Sequence, residues 1–364
     1  MPTIQMKGVS KLFGRIKALE DINLNIEDGE YLFILGPSGC GKTTLINCIT
    51  GIVTPTYGSI VIDDVKVNDL PIEKREFAMV FQNIALFPHM TVEQNVSYGP
   101  FVKDIPKRKQ TEISNKMLKL VDLLEEKQLL PRFLSGGAQQ KTAVARALAN
   151  EEKLLILDEP ISALDHKVRV ALRYELRRLI KELGLTAMHI THDQEEAMSI
   201  ADRIVILRAG KIVEIGTPRE LYEKPKTLFT MNFVGEANFL EGRVQQKLPE
   251  NIYRIEFRNR QYIELKILDG DFETDESIIV AFRPENVGIS FEDHLDAING
   301  KIIREQFTGG YIRYEVELTT EDRIIVDSRK ALEEKQKIFI RLDPQSTRIF
   351  TAPEFGLKKV LALE

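Results

Sequence analysis

The chain has 364 residues, 43% hydrophobic and 29% charged, with a formal net charge of −5. That length predicts two or three domains, and the mildly acidic balance argues against phosphate-backbone binding as the main task. Two cysteines, Cys40 and Cys48, make neither a disulfide framework nor a zinc set, which points to a reducing compartment. The opening residues 1–14 lack the basic-then-apolar layout of a signal peptide. No stretch reaches the roughly 18–20 apolar residues of a membrane helix, so work at a membrane is expected to pass through partners.

The first predicted strand, Tyr31–Leu35, is an apolar run that stops at a glycine. It leads into Gly36-Pro37-Ser38-Gly39-Cys40-Gly41-Lys42-Thr43-Thr44, which matches G-x-x-x-x-G-K-[ST] and enters a helix over Thr43–Ile49. The glycines let backbone N–H groups turn inward as an anion cradle, and the helix start adds partial positive charge behind them. Lys42 is placed to reach the β- and γ-phosphates of a nucleoside triphosphate, and the Thr43 hydroxyl to hold Mg²⁺. Cys40 reads either as a small filler or as a thiol whose pKa falls near the helix start.

Residues from about 88 to 150 carry Lys- and Glu-rich helical patterns without a strong strand, and read as a helical insert. Within it, Leu134-Ser135-Gly136-Gly137 precedes a helix from about Ala138, a second place where backbone N–H groups can meet phosphate. One chain would then hold two phosphate-binding helix starts, which makes sense if two copies pair head to tail. The run Leu154–Leu157 ends in Asp158 and Glu159. Carboxylates at the end of a buried strand face the crevice where such sheets bind ligands. Asp158 suits Mg²⁺ and Glu159 suits polarising a water. A helical pattern over Leu172–Leu183 and strands at Thr186–Thr191 and Ile204–Leu207 complete an α/β alternation that implies a buried parallel sheet.

After about residue 235 the pattern changes. Ile312, Tyr314, Val316 and Leu318 alternate with Arg313, Glu315 and Glu317, the period of a half-buried strand. A weak repeat is visible. Gly242-Arg243-Val244 and Gly300-Lys301-Ile302 each open a half, and Ile278–Pro284 and Ile338–Pro344 each close one. This predicts a small all-β barrel over residues 236–364, following an α/β domain over 1–235 whose helical subdomain spans about 88–150.

The order of these motifs resembles the ATP-binding-cassette ATPases over essentially the whole chain: the phosphate loop, Gln82, Leu134–Gly137, Leu154–Glu159, Ser162-Ala163-Leu164-Asp165 and Thr191-His192-Asp193. Leu134–Gly137 discriminates most, because GTPases, kinases and helicases share the phosphate loop but lack LSGG before the acidic strand. The resemblance implies a P-loop NTPase core that binds ATP and Mg²⁺. It implies adenine stacking by Phe13, contact of Gln82 with Mg²⁺ and the attacking water, and contact of His192 with the γ-phosphate. Ser135, Gly136 and Gly137 would bind the nucleotide of a second copy, and Asp165 would bridge the two chains. Ala138 stands where the family usually has glutamine after LSGG, so a side-chain contact to the partner's nucleotide is missing and weaker ATP affinity is expected.

Val280-Ala281-Phe282-Arg283-Pro284-Glu285 is similar to the oligonucleotide-binding-like domain of importer ATPases. That similarity implies a homodimer on the cytoplasmic face of the membrane. Two integral-membrane permease subunits would contact Ile84–Met90, and an extracytoplasmic solute-binding protein would act indirectly. Nucleic acid is not expected, because the strands lack an aromatic platform beside a basic groove. The junction Phe233–Leu240 looks more like the polyamine, ferric-iron and phosphonate branch than the sugar branch. Two rivals, a soluble cassette ATPase of translation or repair and a module that uses ATP only as a ligand, fit less well. The chain has neither tandem cassettes nor a long coiled-coil insertion, and Glu159 and His192 are both present.

Overall fold

Two long strands, β1 (Ile4–Phe13) and β2 (Ile16–Ile26), pair antiparallel in the computed structural model, which describes residues 3–161, 164–292, 294, 296–333 and 336–362. Both alternate buried and exposed positions, the pattern of a sheet with one face on a core. Next come β3 (Tyr31–Leu35), α1 (Lys42–Thr50), β4 (Tyr57–Ile62), β5 (Val65–Lys66) and β6 (Phe77–Val80). The helices α2 (Val92–Val102), α3 (Lys107–Leu120) and α4 (Gly136–Leu148) follow. Then β7 (Leu154–Asp158), α5 (His166–Glu182), β8 (Thr186–Ile190), α6 (Gln194–Ile200), β9 (Arg203–Arg208) and β10 (Lys211–Gly216) complete the first compact unit.

That unit has two sheets. One has strand order β10-β9-β3-β8-β7-β6, parallel except for its edge strand β10. The other is antiparallel, ordered β2-β1-β4-β5. The central strand β3 is buried at every position, as a strand covered on both faces must be. One apolar core joins the two sheets, with Ile4, Leu19 and Ile60 packed together with Leu32, Ile156 and Val205. The antiparallel sheet is absent from the sequence reading, because β1 and β2 are broken by bulges that blur their period. Helix boundaries also move outward: α4 begins at Gly136 rather than Ala138, and α5 begins at His166 rather than Leu172.

The chain divides into its two units between Pro218 and Arg219. The composition change near residue 235 therefore lies inside the second unit, whose first elements are α7 (Pro218–Glu223) and α8 (Leu228–Phe233). The reason is Arg283. Its buried guanidinium donates to the carbonyls of Met231 at 2.8 Å, Glu236 at 3.0 Å and Tyr222 at 3.3 Å, and lies 4.3 Å from the centre of the Tyr222 ring. This fixes the two short helices to the β-rich part.

The remaining strands are β11 (Asn238–Leu248), β12 (Ile252–Glu256), β13 (Tyr262–Lys266), β14 (Ser277–Phe282), β15 (Val287–Ser290), β16 (Ala297–Phe307), β17 (Ile312–Leu318), β18 (Arg323–Ser328), β19 (Lys337–Leu342) and β20 (Arg348–Thr351), before a last helix α9 (Leu357–Leu361). They form two antiparallel five-stranded sheets around one core, ordered β13-β12-β11-β14-β20 and β15-β19-β16-β17-β18. The repeat seen in the sequence has a structural counterpart. Gly242 lies opposite Ile278 in the first sheet, and Gly300 lies opposite Ile338 in the second. The halves also exchange strands: β15 follows β14 but pairs with β19, and β20 follows β19 but pairs with β14.

Candidate nucleotide site

The loop after β3 is shaped by what its glycines exclude. A side chain at Gly36 would strike the Leu207 carbonyl and the Cys40 sulfur. Gly41 sits at φ 110°, where a Cβ would meet the Ala18 carbonyl oxygen at 2.6 Å. Gly41 is also the residue before α1, and no side chain caps that helix. Its first N–H groups and partial positive charge face the loop. Lys42 is buried, and its ammonium donates to the Gly36 and Pro37 carbonyls at 2.6 and 2.9 Å. Ser38, Gly39 and Thr43 are exposed, and Thr44 is half-buried. Cys40 is buried, and burial pushes its thiol pKa up against the opposing pull of Lys42. Burial favours the packing reading of Cys40 over the activated thiol. Ala18 belongs to β2, whose hairpin with β1 carries Phe13 near its tip. Phe13 is 48% exposed, with Lys11 Nζ 4.9 Å from its ring centre.

Arg75 supports the far end of α1. Its buried guanidinium donates to the Cys48 and Ile49 carbonyls at 2.9 and 2.7 Å, and also to Leu70 and Asn68. These bonds satisfy carbonyls that a helix end leaves orphaned, and they link α1 to the segment entering β6. No motif pointed to Arg75.

The three residues singled out for the chemistry meet. Glu159 follows β7, and its N–H donates to the Ile190 carbonyl at 2.9 Å. Its Oε2 accepts from Gln82 Nε2 at 3.0 Å, and its Oε1 lies 3.2 Å from His192 Nδ1. Gln82 follows β6 and His192 follows β8, so three adjacent parallel strands end at one place. Glu159 also holds φ 46°, a left-handed conformation unfavourable for a side chain with a Cβ. Beside it, burial raises the Asp158 pKa, and the Glu159 charge raises it further while Lys42 opposes. A carboxylate poised between an amide donor and an imidazole can orient and deprotonate a water.

The second helix start differs. Ser135 caps α4, its Oγ accepting from Ala138 N–H at 3.2 Å. A Cβ at Gly136 would lie 3.3 Å from Leu164, and one at Gly137 would lie 2.9 Å from Val168. Gly136 and Gly137 are thus packed on the start of α5, where Asp165 caps the helix by accepting from Val168 N–H at 3.1 Å. Ser162 and Ala163 lie outside the described residues. Among the described residues, no hydrogen bond or ion pair joins Ser135–Gly137 to Gly36–Thr44. The segment Ile84–Met90 is irregular and pinned. Buried Asn95 of α2 accepts from the Phe87 N–H and donates to the Phe87 and Met90 carbonyls, while Arg146 of α4 donates to Ala85. The signal for Asn95 was a lone amide on the apolar stripe of Val92 and Val96.

Two family models match this chain, the ABC transporter model over residues 19–162 and the TOBE domain model over residues 280–350. The spermidine/putrescine import ATP-binding protein PotA of Clostridium novyi (strain NT) is 40% identical over 320 residues, covering 88% of this chain and 89% of that protein. The protein of the same name from Bacillus thuringiensis (strain Al Hakam) is 49% identical over 252 residues, 68% of this chain and 77% of its own length. This chain belongs to the ATP-binding subunits of ABC importers. Among solved structures, the dimeric post-hydrolysis state of the ATP-binding cassette MJ0796 bound to ADP and Pi shares 34% identity at TM-score 0.53, covering 59% of this chain and 99% of that one. CbiO1 from Clostridium perfringens, part of the transporter complex cbiONQ, shares 29% identity at TM-score 0.58, covering 63% of this chain and 94% of that one. As an ABC ATPase, the chain binds and hydrolyses ATP, and its β-rich unit contains the TOBE domain match over residues 280–350. No helix among the described residues is long and apolar enough to cross a membrane.

Proposed function

We propose that the protein works as a homodimer on the cytoplasmic face of a membrane, where it powers uptake of a polyamine through two separate permease subunits. The convergence of Gln82, Glu159 and His192 at three adjacent strand ends, beside the phosphate loop, is the observation that carries the catalytic part. Two relatives named as spermidine/putrescine import proteins support the cargo, one of them along almost the full chain. The junction Phe233–Leu240 points the same way, and it leaves a sugar as the weaker alternative.

In this reading the backbone of Gly36–Gly41 and the ammonium of Lys42 hold the β- and γ-phosphates, and Phe13 stacks on the base. The loop fits an anion: Gly36 and Gly41 lie too close to the Leu207 and Ala18 carbonyls to carry a side chain, which leaves its backbone shape intact, and the start of α1 has no side-chain cap. Thr43, Gln82 and Asp158 are the oxygen-bearing set for Mg²⁺, which when bound neutralises phosphate charge. Glu159 takes a proton from the water it orients, Gln82 holds that carboxylate from one side, and His192 donates toward the γ-phosphate. Positioning and charge neutralisation supply most of the rate. Ser135 to Gly137 complete the site on the second copy, with Asp165 beside them. Closure of the pair would move the helical subdomain, and Ile84–Met90 would pass that motion to the permease.

The test is uptake of labelled spermidine, putrescine and maltose in a strain whose own gene is deleted and replaced by wild-type or Glu159→Gln. Polyamine uptake should return with the wild-type gene alone. Restored maltose uptake with no polyamine uptake would overturn the cargo, and full uptake with Glu159→Gln would overturn the catalytic assignment.

A further inference from the structure

Directly behind His192 lies a buried polar chain that the catalytic reading does not use. Tyr31 Oη of β3 is 2.8 Å from His189 Nδ1 of β8, and His189 Nε2 is 3.3 Å from Glu196 Oε1 of α6. His189 is wholly buried and Glu196 is 2% exposed. Both His189 Nε2 and Glu196 Oε1 are buried without a hydrogen bond among the described residues, so at 3.3 Å each is the open polar atom that faces the other. The Glu196 carboxyl also takes the Thr191 hydroxyl. Thr191 Oγ in turn accepts from Asp193 N–H at 3.0 Å, and Asp193 Oδ1 accepts from Glu196 N–H at 3.0 Å. The ring of bonds Thr191, Asp193, Glu196 therefore closes around the backbone of His192.

We infer that Glu196 is a positioning residue for His192, and that the proton it shares with His189 sets how firmly the Thr191–Asp193 turn is held. This rests on the reading of His192 as a γ-phosphate contact. Every packed element contributes a group that faces this carboxyl. Tyr31 comes from β3, His189 from β8, Thr191 and Asp193 from the turn, and Arg169 and Arg173 from α5. Glu195 on the same helix is occupied by Arg173, and beyond Tyr31 stand Arg177 and Asp202.

A neutral imidazole buried between a phenol and a carboxyl has two arrangements. With Glu196 protonated, its O–H donates to His189 Nε2 and the ring proton sits on Nδ1, toward Tyr31. When Glu196 ionises, one proton leaves to solvent. The ring proton then sits on Nε2 and donates to the carboxylate, and the Tyr31 O–H donates to Nδ1. Burial keeps His189 neutral, with its pKa pushed down to about 3, so the ring changes tautomer without changing charge. Burial likewise pushes Glu196 up to about 7, the first cause, with Asp193 adding to it and the Thr191 bond and the arginines opposing. Its ionisation therefore falls in the neutral range, and the carboxylate form gains as the pH rises. The carboxylate accepts the Thr191 hydroxyl in a charge-assisted bond, roughly twice as strong as the neutral one, so the turn is firmer at the higher pH.

The experiment is the pH profile of ATP turnover, together with the ¹⁵N spectrum of the histidine-labelled full chain, for wild type, Glu196→Gln and His192→Ala. Wild-type kcat should rise between pH 6 and 8 through this group, by on the order of a few-fold, with KM for ATP unchanged. Glu196→Gln mimics the neutral acid, so it should match wild type near pH 6 and stay at that level at pH 8. The His189 ring should carry its proton on Nδ1 at pH 6 and on Nε2 at pH 8 in wild type, and keep one tautomer in Glu196→Gln. A Glu196→Gln profile parallel to wild type overturns the positioning role. A wild-type His189 ring with the same tautomer at both pH values overturns the shared proton, and this holds even if the variant fails to fold. Wild-type turnover in His192→Ala would sink the reading of His192 itself. The ring measurement needs no nucleotide, so the two failures are distinguishable.

Discussion

The two helix starts offered for phosphate are built differently. Before α1 the backbone is forced into a left-handed turn at Gly41, no side chain caps the helix, and a buried lysine lies inside the loop. Before α4 the chain enters in extended conformation, and Ser135 spends its hydroxyl on the helix's own N–H. The first is a cradle whose donors need an anion from outside. The second already has a cap, and its glycines serve packing against α5 as much as ligand approach. In the proposed reading, a single chain holds nucleotide through the first start alone, and the second acts only across a dimer.

Substitutions at the two starts would break or sharpen that contrast. The largest effect is expected at Gly41→Ala, where both the left-handed backbone and the Ala18 carbonyl oppose a side chain. ATP affinity, measured by calorimetry on the isolated protein, should fall by on the order of 100-fold or more. Gly137→Ala meets only the Val168 side chain, which can shift. ATP affinity of the single chain should hold while steady-state turnover falls roughly tenfold. Equal losses of affinity in both variants would erase the distinction. Ser135→Ala removes a cap, and should lower stability by about 1 kcal/mol in a denaturant titration while slowing turnover. The smallest effect is expected at Ala138→Gln. It restores a side chain at the third residue of α4 and should lower KM for ATP about threefold; an unchanged KM would mean that Ala138 costs no affinity.

How far the sequence could be read follows the same division. The phosphate loop was legible because its residue types are dictated locally, by backbone conformation and close approach. The strand end at Asp158 was legible from an apolar run, and that of β8 to within one residue. What could not be read is pairing over distance. The hydrogen bond from Gln82 to Glu159 depends on β6 lying beside β7, a fact of sheet order. The exchange of β15 and β20 between the two halves is likewise a matter of register that no local pattern encodes. Arg75 and Glu196 were invisible for another reason. A charged residue in sequence reads as surface, and only the fold shows which one is buried against carbonyls or an imidazole. Thr191 falls just outside β8, in the turn before His192, where its hydroxyl accepts from the Asp193 N–H.

The most direct test of the central claim, that the site is shared between two copies and emptied by Glu159, is the mass of Glu159→Gln in solution with ATP and Mg²⁺ by sedimentation. A stable dimer that forms only with ATP and does not dissociate is the predicted result. A monomer at saturating ATP, or turnover at the wild-type rate, would contradict it.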